Sequence, residues 1–496
     1  MHWNKLFNIG KRGDIVALVS GVILTLAFAP YHIFILAIIA PALLLASWLH
    51  VNPGRAFRRG YLFGVGFFST SVYWVYISIH TYGEAPVALS LVITLGFILL
   101  LALFPALTGY WLNRFFPNNN DSKRLLAFPA IWVLVEWMRS WAFTGFPWGF
   151  VGYSQISSPL KGYAPILSVY GVSLAALISS ALLVSLFVER KNWRSFALGL
   201  FAIWAIGGAL SYIPWTKPQD GPIQVSLVQG NIPQQLKWHA DQIQPTLDHY
   251  VALTQDHFDS QIIIWPEAAI PIALQDAKEF VNVLDEVAVQ HHTTILTGIP
   301  VRVDNGNGYY NAVIALGENH GAYLKRQLVP FGEYTPMGRY LHPILAKINI
   351  PMADMISGPY RPTMFKVGNT QISTEICFEI AFPELSLERK KDMGIILTVS
   401  NDAWFGHSSA QAQHLQTAQM RAIEMRRPVL FVANNGITAI IDPYGHIQSK
   451  IPPYQDGVLT DKVQARIGLT PWQRYATDPI LFLLIGMLFI GRLRKK

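Results

Sequence analysis

The chain has 496 residues, of which 52% are hydrophobic and 14% charged, with a formal net charge of +8 and a single cysteine. So few charges, against about a quarter in ordinary soluble domains, exclude a wholly soluble globular chain. The lone cysteine excludes an internal disulfide, and the net positive charge, with basic residues clustered in short loops between apolar runs, is largely a topology signal and not a nucleic-acid footprint.

Apolar runs at 15–30, 34–49, 61–78, 87–112, 125–138, 166–188 and 196–213 read as seven membrane spans, and 479–491 as an eighth. Several fall short of the roughly 20 residues of a perpendicular span, so interfacial residues must complete them. Basic residues set the orientation. Lys5, Lys11, Arg12, Arg55, Arg58, Arg59, Arg114, Lys123, Arg124, Arg190, Lys191 and Arg194 share one side with Arg492, Arg494, Lys495 and Lys496. Only Arg139 and Lys161 occupy the short loops of the other side. The positive-inside rule therefore puts both ends in the cytoplasm and the region after residue 215 outside it. Ala27-Phe28-Ala29 has the form of a signal cleavage site, but Pro30 follows at once, so the first run reads as a retained span. Glu136 stands one helical turn before Arg139, a spacing that predicts an ion pair. The expected organisation is a bundle of seven transmembrane helices at 1–214, an outer domain at 215–470, and a last transmembrane helix with a basic cytoplasmic tail at 471–496.

The outer region changes rhythm. Strands are predicted at 223–229, 262–265, 294–297, 312–316, 321–325, 371–377, 394–400, 429–433 and 438–442, with helices at 241–258, 277–290 and 410–425. Strands interleaved with amphipathic helices predict a layered α/β domain. Glu267, Lys325 and Cys377 each fall at or just beyond a strand end, where open α/β sheets gather reactive groups.

Cys377 lies between Glu375 and Glu379 in Thr374-Glu375-Ile376-Cys377-Phe378-Glu379. Taken alone, such a residue packs as a small hydrophobe. In an oxidising compartment, however, a single retained thiol points to a use. An unperturbed thiol, with pKa ~8.5, is mostly protonated at neutral pH. Glu267, in Trp265-Pro266-Glu267, can take its proton if burial raises the carboxylate's proton affinity. Lys325 can stabilise the thiolate and a developing oxyanion, while Glu333 and Glu379 hold the lysine or share protons. Such a trio attacks a carbonyl carbon, forms a thioester and hands the acyl group to water or to an amine.

Trp265-Pro266-Glu267, the lysine of Tyr323-Leu324-Lys325-Arg326 and the cysteine of Ile376-Cys377-Phe378-Glu379 resemble the Glu-Lys-Cys signature of the nitrilase, or carbon–nitrogen hydrolase, superfamily across roughly 220–465. Further segments agree, among them Pro330-Phe331-Gly332-Glu333-Tyr334 and Ser400-Asn401-Asp402-Ala403-Trp404-Phe405-Gly406. With seven spans before that domain and one after, the whole chain is similar to the apolipoprotein N-acyltransferase family. Thr144-Gly145-Phe146-Pro147-Trp148, within the bundle, also resembles that family.

The resemblance implies a membrane bundle joined to an α-β-β-α sandwich that faces the periplasm from the bacterial inner membrane. It implies Glu267 as general base, Lys325 as stabilising cation, Cys377 as nucleophile, and Glu333 and Glu379 as supporting carboxylates. Trp238, Trp404 and Phe405 match aromatic positions expected near the substrate or on mobile loops. Trp148 ends the aromatic segment 141–148, which suits an interfacial position that guides lipid substrates or an aromatic belt that anchors the bundle. The implied reaction passes the sn-1 acyl chain of a phospholipid to the thiol, then to the N-terminal α-amine of a diacylated apolipoprotein. No cofactor is implied. Phe378 departs from the tyrosine often found after the cysteine, which leaves a packing role at that position.

Residue chemistry alone also fits a membrane-anchored amidase that uses water, and a transporter whose outer domain binds ligand. The scarcity of charges within the spans argues against a polar-solute pathway. A metal site is not expected: His291 and His292 lack ligand spacing and no His-Glu-x-x-His motif occurs.

Overall fold

A computed structural model describes residues 10–303, 308–336, 338, 355–359, 363–387 and 393–493. Lys5, Arg494, Lys495 and Lys496, read above as topology signals, lie outside the described residues. Two compact units emerge. Residues up to Tyr76, Pro86–Pro214 and Pro471 onward form the first, and Ile77–Ala85 joins Trp215–Thr470 in the second.

The first unit is helical. Its longer helices are Gly10–Thr25, Leu36–Trp48, Pro53–Ser71, Val87–Phe115, Phe128–Arg139, Ala164–Val188, Trp193–Ser211 and Asp478–Leu493. Each overlaps one of the apolar runs. Three described segments, Val87–Phe115, Pro159–Val188 and Arg190–Ser211, are long and apolar enough to cross a membrane. A fourth results if Pro53–Ser71 and Trp74–Tyr82, bent by 51°, make one broken span. The protein is a membrane protein on this ground, since helices alone satisfy their backbone within one apolar segment.

Local chemistry sets the helix ends and contacts. Pro53 occupies the first turn and the Asn52 side chain accepts from Arg55 N at 2.8 Å, a capped start. A Cβ on Gly64 would stand 2.6 Å from Ala102 Cα, so glycine lets two helices touch backbone to backbone. Outward-facing Val92, Phe201 and Phe482 are 68%, 70% and 75% exposed, as a lipid-facing surface requires. Three of the basic loop residues converge on buried Asp14, with Arg58 at 3.1 Å, Arg59 at 3.2 Å and Arg55 at 3.4 Å.

The predicted Glu136–Arg139 pair persists as an attraction between the two charges, but each side chain makes its hydrogen bonds elsewhere. Glu136 accepts from Val151 N at 2.8 Å and Trp132 Nε1 at 3.2 Å, while Arg139 donates to the carbonyls of Trp148 at 2.6 Å and Phe146 at 3.2 Å. Both residues brace the irregular segment that follows them, whose buried backbone groups lack helical partners and must be paired.

The second unit is built from β1 (Lys217–Pro218), β2 (Ile223–Gln229), β3 (Ile262–Ile264), β4 (Thr294–Arg302), β5 (Tyr309–Gly317), β6 (Gly321–Leu324) and β7 (Phe365–Val367). It continues with β8 (Thr370–Ile376), β9 (Met393–Ser400), β10 (Val429–Ala433), β11 (Thr438–Ile441), β12 (Ile447–Ile451), β13 (Gly457–Val463) and β14 (Arg466–Ile467). One sheet has the order β13-β2-β3-β4-β5-β6, the other β12-β11-β10-β9-β8-β7. Their centres, β2-β3-β4 and β8-β9-β10, are parallel.

Alternation along the strands makes the layers. Val225, Leu227, Ile262 and Ile264 point into a core shared with Ile395, Leu397, Leu430 and Val432 of the other sheet. Val228 and Ile263, on the opposite face, pack on Leu247, Tyr250, Val281 and Leu284 of helices Ala240–Thr254 and Lys278–Gln290. Helix Ala410–Met425 covers the second sheet, with the His414 ring edge-on to Phe431 at 5.1 Å. The result is a layered α-β-β-α arrangement, as expected from the sequence.

Candidate active site

Glu267 follows β3, Lys325 follows β6, and Cys377 follows β8 as the first residue of the 3₁₀ turn Cys377–Ala381. Gly298 on β4 makes room for the first of these, since a Cβ there would stand 2.7 Å from Glu267 Cα. The structure brings the three side chains together. Lys325 Nζ lies 2.7 Å from Glu333 Oε1 and 3.5 Å from Glu267 Oε1. The Cys377 thiol feels the charges of both Glu267 and Lys325.

Each carboxylate is held by several donors. Glu267 Oε1 accepts from Asn311 Nδ2 at 2.7 Å and Glu267 Oε2 from Asn401 N at 2.8 Å. Glu333 Oε1 accepts from the same Asn311 amide at 3.0 Å, and Glu333 Oε2 from Val329 N at 2.8 Å. Glu379 ties the two halves of the site. It accepts from the backbone N–H groups of Arg326 and Gln327 just after Lys325, and from Ile376 N just before Cys377, at 2.8, 3.0 and 2.7 Å. The Tyr323 hydroxyl adds a fourth bond at 2.8 Å.

Electrostatics define the resting proton inventory. Burial pushes the Glu267 carboxyl upward, but the charge of Lys325, the Asn311 hydrogen bond, the charge of Lys237 and the Asn401 N–H outweigh it, holding its pKa below the usual carboxylate value. The condition set on Glu267, that burial raise its proton affinity, is therefore not met in the resting site. For Lys325, burial favours the neutral amine, yet Glu333, Glu267 and Cys377 overcome it and the pKa rises. Burial and then the charge of Glu267 raise the Cys377 thiol well above its normal value, against the pull of Lys325. The resting site therefore holds a carboxylate, an ammonium and a thiol.

Several further residues of the site carry no motif of their own. Asn311, buried on β5, bridges Glu267 and Glu333. Lys237 is buried with its Nζ 3.0 Å from the Glu267 carbonyl, and burial lowers its pKa to about 8 although Glu267 pulls it up. Its sign in the sequence was a lysine one residue before Trp238. Asn401 and Asp402 fall within the segment Ser400–Gly406, beside the more conspicuous aromatics Trp404 and Phe405.

The aromatic candidates divide. Trp238 and Trp404 are 48% and 37% exposed in the second unit, and Phe405 meets the His414 ring edge-on at 5.9 Å. Trp404 also faces the segment Ile77–Ala85: its carbonyl accepts from Ser78 Oγ at 2.7 Å, and its ring lies 6.1 Å from Tyr82. Trp148 belongs to the first unit, where it is buried against Trp74 at 5.3 Å. Phe378 packs edge-on against Phe382 at 5.1 Å. Among the described residues, no three His, Cys, Asp or Glu side chains are grouped to hold a metal ion.

Known proteins resemble the chain at every level. Residues 20–182 match the family described as apolipoprotein N-acyltransferase N-terminal domain, and residues 224–471 match carbon–nitrogen hydrolase. An apolipoprotein N-acyltransferase of Coxiella burnetii is 43% identical over 96% of this chain and 99% of that protein. One of Azotobacter vinelandii is 39% identical over 98% of this chain and 96% of that protein. A solved CN-hydrolase superfamily protein of Xanthomonas campestris superposes on 53% of this chain and 97% of that chain, with TM-score 0.37 and 19% identity. Identity of this extent, running through both units and the residues between them, establishes that the chain belongs to the apolipoprotein N-acyltransferase family.

Proposed function

We propose that this protein transfers the sn-1 acyl chain of a phospholipid, through a thioester on Cys377, to the N-terminal α-amine of a diacylglyceryl-cysteine apolipoprotein. The observation that carries the reading is Lys325 Nζ held between the Glu333 and Glu267 carboxylates beside the chain's only thiol, in a member of this family.

In the first half-reaction the Cys377 S–H proton passes to Glu267 as sulfur bonds to the ester carbonyl carbon. The carbonyl oxygen gains negative charge near Lys325, whose ammonium offsets it. Collapse breaks the ester C–O bond, and the departing lysophospholipid takes the proton from Glu267 as its hydroxyl hydrogen. In the second half the acceptor amine bonds to the thioester carbon and yields a proton to Glu267. Collapse then returns the electron pair to sulfur, and reprotonation restores the thiol. Moving the proton from a raised-pKa thiol to a lowered-pKa carboxylate is uphill in the empty site, so the step depends on the charge that grows opposite Lys325. Glu333 keeps Lys325 protonated and placed, and Glu379 fixes the backbone on either side of the reacting pair.

Long acyl chains favour an apolar environment throughout transfer, which a helical bundle supplies and a soluble amidase does not need. We assign seven transmembrane helices to 1–214, a periplasmic catalytic domain to 215–470 and a final transmembrane helix to 471–496, in the bacterial inner membrane. The basic loop residues support that orientation. Trp238, Trp404 and Phe405 are the residues we assign to substrate contact, with Trp148 guiding lipid from the bundle.

Intact-protein mass spectrometry of the purified chain mixed with phosphatidylethanolamine tests the assignment. A hydroxylamine-sensitive fatty acyl adduct, absent from Cys377→Ala, is the expected result. Full transfer activity in Cys377→Ala without any adduct would rule it out.

A further inference from the structure

A second buried acid–base pair lies behind the thiol. His414 and Asp402 are both fully buried, and His414 Nδ1 lies 3.0 Å from Asp402 Oδ1. The other ring nitrogen, Nε2, lies 3.1 Å from the backbone carbonyl of Cys377. A carbonyl oxygen only accepts, so Nε2 carries a proton, and Asp402 faces the opposite nitrogen of a ring whose orientation is thereby fixed. Asp402 Oδ1 also accepts from Ser400 Oγ at 2.6 Å, and the Ser400 hydroxyl in turn reaches the Cys377 thiol.

The backbone at this point is unusual. Cys377 has φ of 53°, in the left-handed region that a residue with a side chain rarely adopts. Such a conformation persists only where its surroundings over-determine it. Here Glu379 holds Ile376 N on one side, and His414 holds the Cys377 carbonyl on the other. The Phe405 and Phe431 rings stand edge-on to His414, so the imidazole has a fixed seat.

We propose that His414 is a positioning residue for the nucleophile: its Nε2–H, oriented by Asp402, holds the Cys377 carbonyl and keeps the thiol turned toward Glu267 and Lys325. The proposal rests on Cys377 being the acyl-accepting group. His414 neither touches substrate nor exchanges a proton with sulfur; it acts through the Cys377 backbone.

Two substitutions separate this role from simple space filling. His414→Gln places an amide N–H near the position of Nε2 and keeps a donor for the carbonyl. His414→Asn reproduces only the Nδ1 side and still satisfies Asp402. The full-length protein in detergent is followed by the rate of Cys377 alkylation with iodoacetamide, by thioester formation from phosphatidylethanolamine, and by melting temperature. Loss of one hydrogen bond to a strained position predicts that His414→Asn slows both rates about tenfold, while His414→Gln stays within about threefold of the parent. Equal rates in the two variants, or a faster asparagine variant, overturn the proposal. If His414→Asn does not fold, a folded His414→Gln that reacts more than about tenfold slower than the parent overturns it equally. A parent protein that forms no thioester would sink the acyl-transfer assignment, whereas the alkylation rates would still decide the role of His414.

Discussion

Replacing Asn311 by leucine removes one amide that serves two carboxylates, lying 2.7 Å from Oε1 of buried Glu267 and 3.0 Å from Oε1 of partly buried Glu333. A hydrogen bond to a charged group contributes about 1.5–3 kcal/mol, and each 1.36 kcal/mol is a tenfold change in proton affinity. Glu267 keeps Lys325 at 3.5 Å and the Asn401 N–H at 2.8 Å, so its charge survives but is less well held. Its proton affinity is therefore expected to rise at least about tenfold. The sign follows from the direction already present: the native pKa lies below the usual value, and losing a donor moves it back up. Below the new midpoint the carboxyl is protonated and cannot receive the thiol proton. Single-turnover acylation, measured from pH 4 to 8 with a permanently charged phospholipid, should show its acid limb displaced upward by about one pH unit or more, with little loss at the plateau. An acid limb that stays in place would refute the claim that Asn311 holds Glu267 ionised.

Glu379→Gln presents an amide where four donors now meet a carboxylate. At least one of them is left unpaired in a buried setting, so the variant should lose about 2–4 kcal/mol and melt at lower temperature. Lys237 has a folded pKa of about 8, below its unfolded value of ~10.4. The unfolded chain then binds the extra proton between those limits, and stability contributed by this site rises with pH across that window. Melting curves of the parent and of Lys237→Met should accordingly diverge from pH 8 to 10.5, with only the parent gaining. Gly406 has φ of 52° and ψ of −156°, a region essentially reserved for glycine, and a Cβ there would stand 2.8 Å from Ile77 Cγ2. Gly406→Ala should cost about 1–3 kcal/mol, read from the melting temperature, and raise the apparent KM for phospholipid.

The Glu-Lys-Cys trio was legible because each member falls at or just beyond the end of a strand; Ile262–Ile264 before Glu267 is the plainest case. The strands β12 and β13 were not anticipated. Each lies at a sheet edge, where Gln448, Lys450 and Lys462 face outward and break the apolar run. Helix Ala410–Met425 was anticipated, but its burial was not, since glutamines and charges recur through it. Those polar groups are paired inside the fold: Gln411 with the Tyr454 hydroxyl at 3.1 Å, Gln419 with the Gly445 carbonyl at 2.7 Å, and Arg421 with Glu424. Asn311 escaped notice for a related reason. One amide in an apolar strand gives no hint of which distant carboxylates it will serve.

The short stretch Ile77–Ala85 lies in the chain between helices Pro53–Ser71 and Val87–Phe115, yet it is seated in the hydrolase unit through Ser78 and Tyr82. An excised version that begins at Trp215 and ends at Thr470 would leave this tongue behind. Its Trp404 carbonyl would then lose a hydroxyl donor, and its Gly406 the Ile77 methyl and the Tyr82 ring now lying beside it. Grafting the hydrolase half onto a foreign anchor would likewise restore tethering without restoring that buttress, so this protein cannot be dissected by cutting at the domain ends alone.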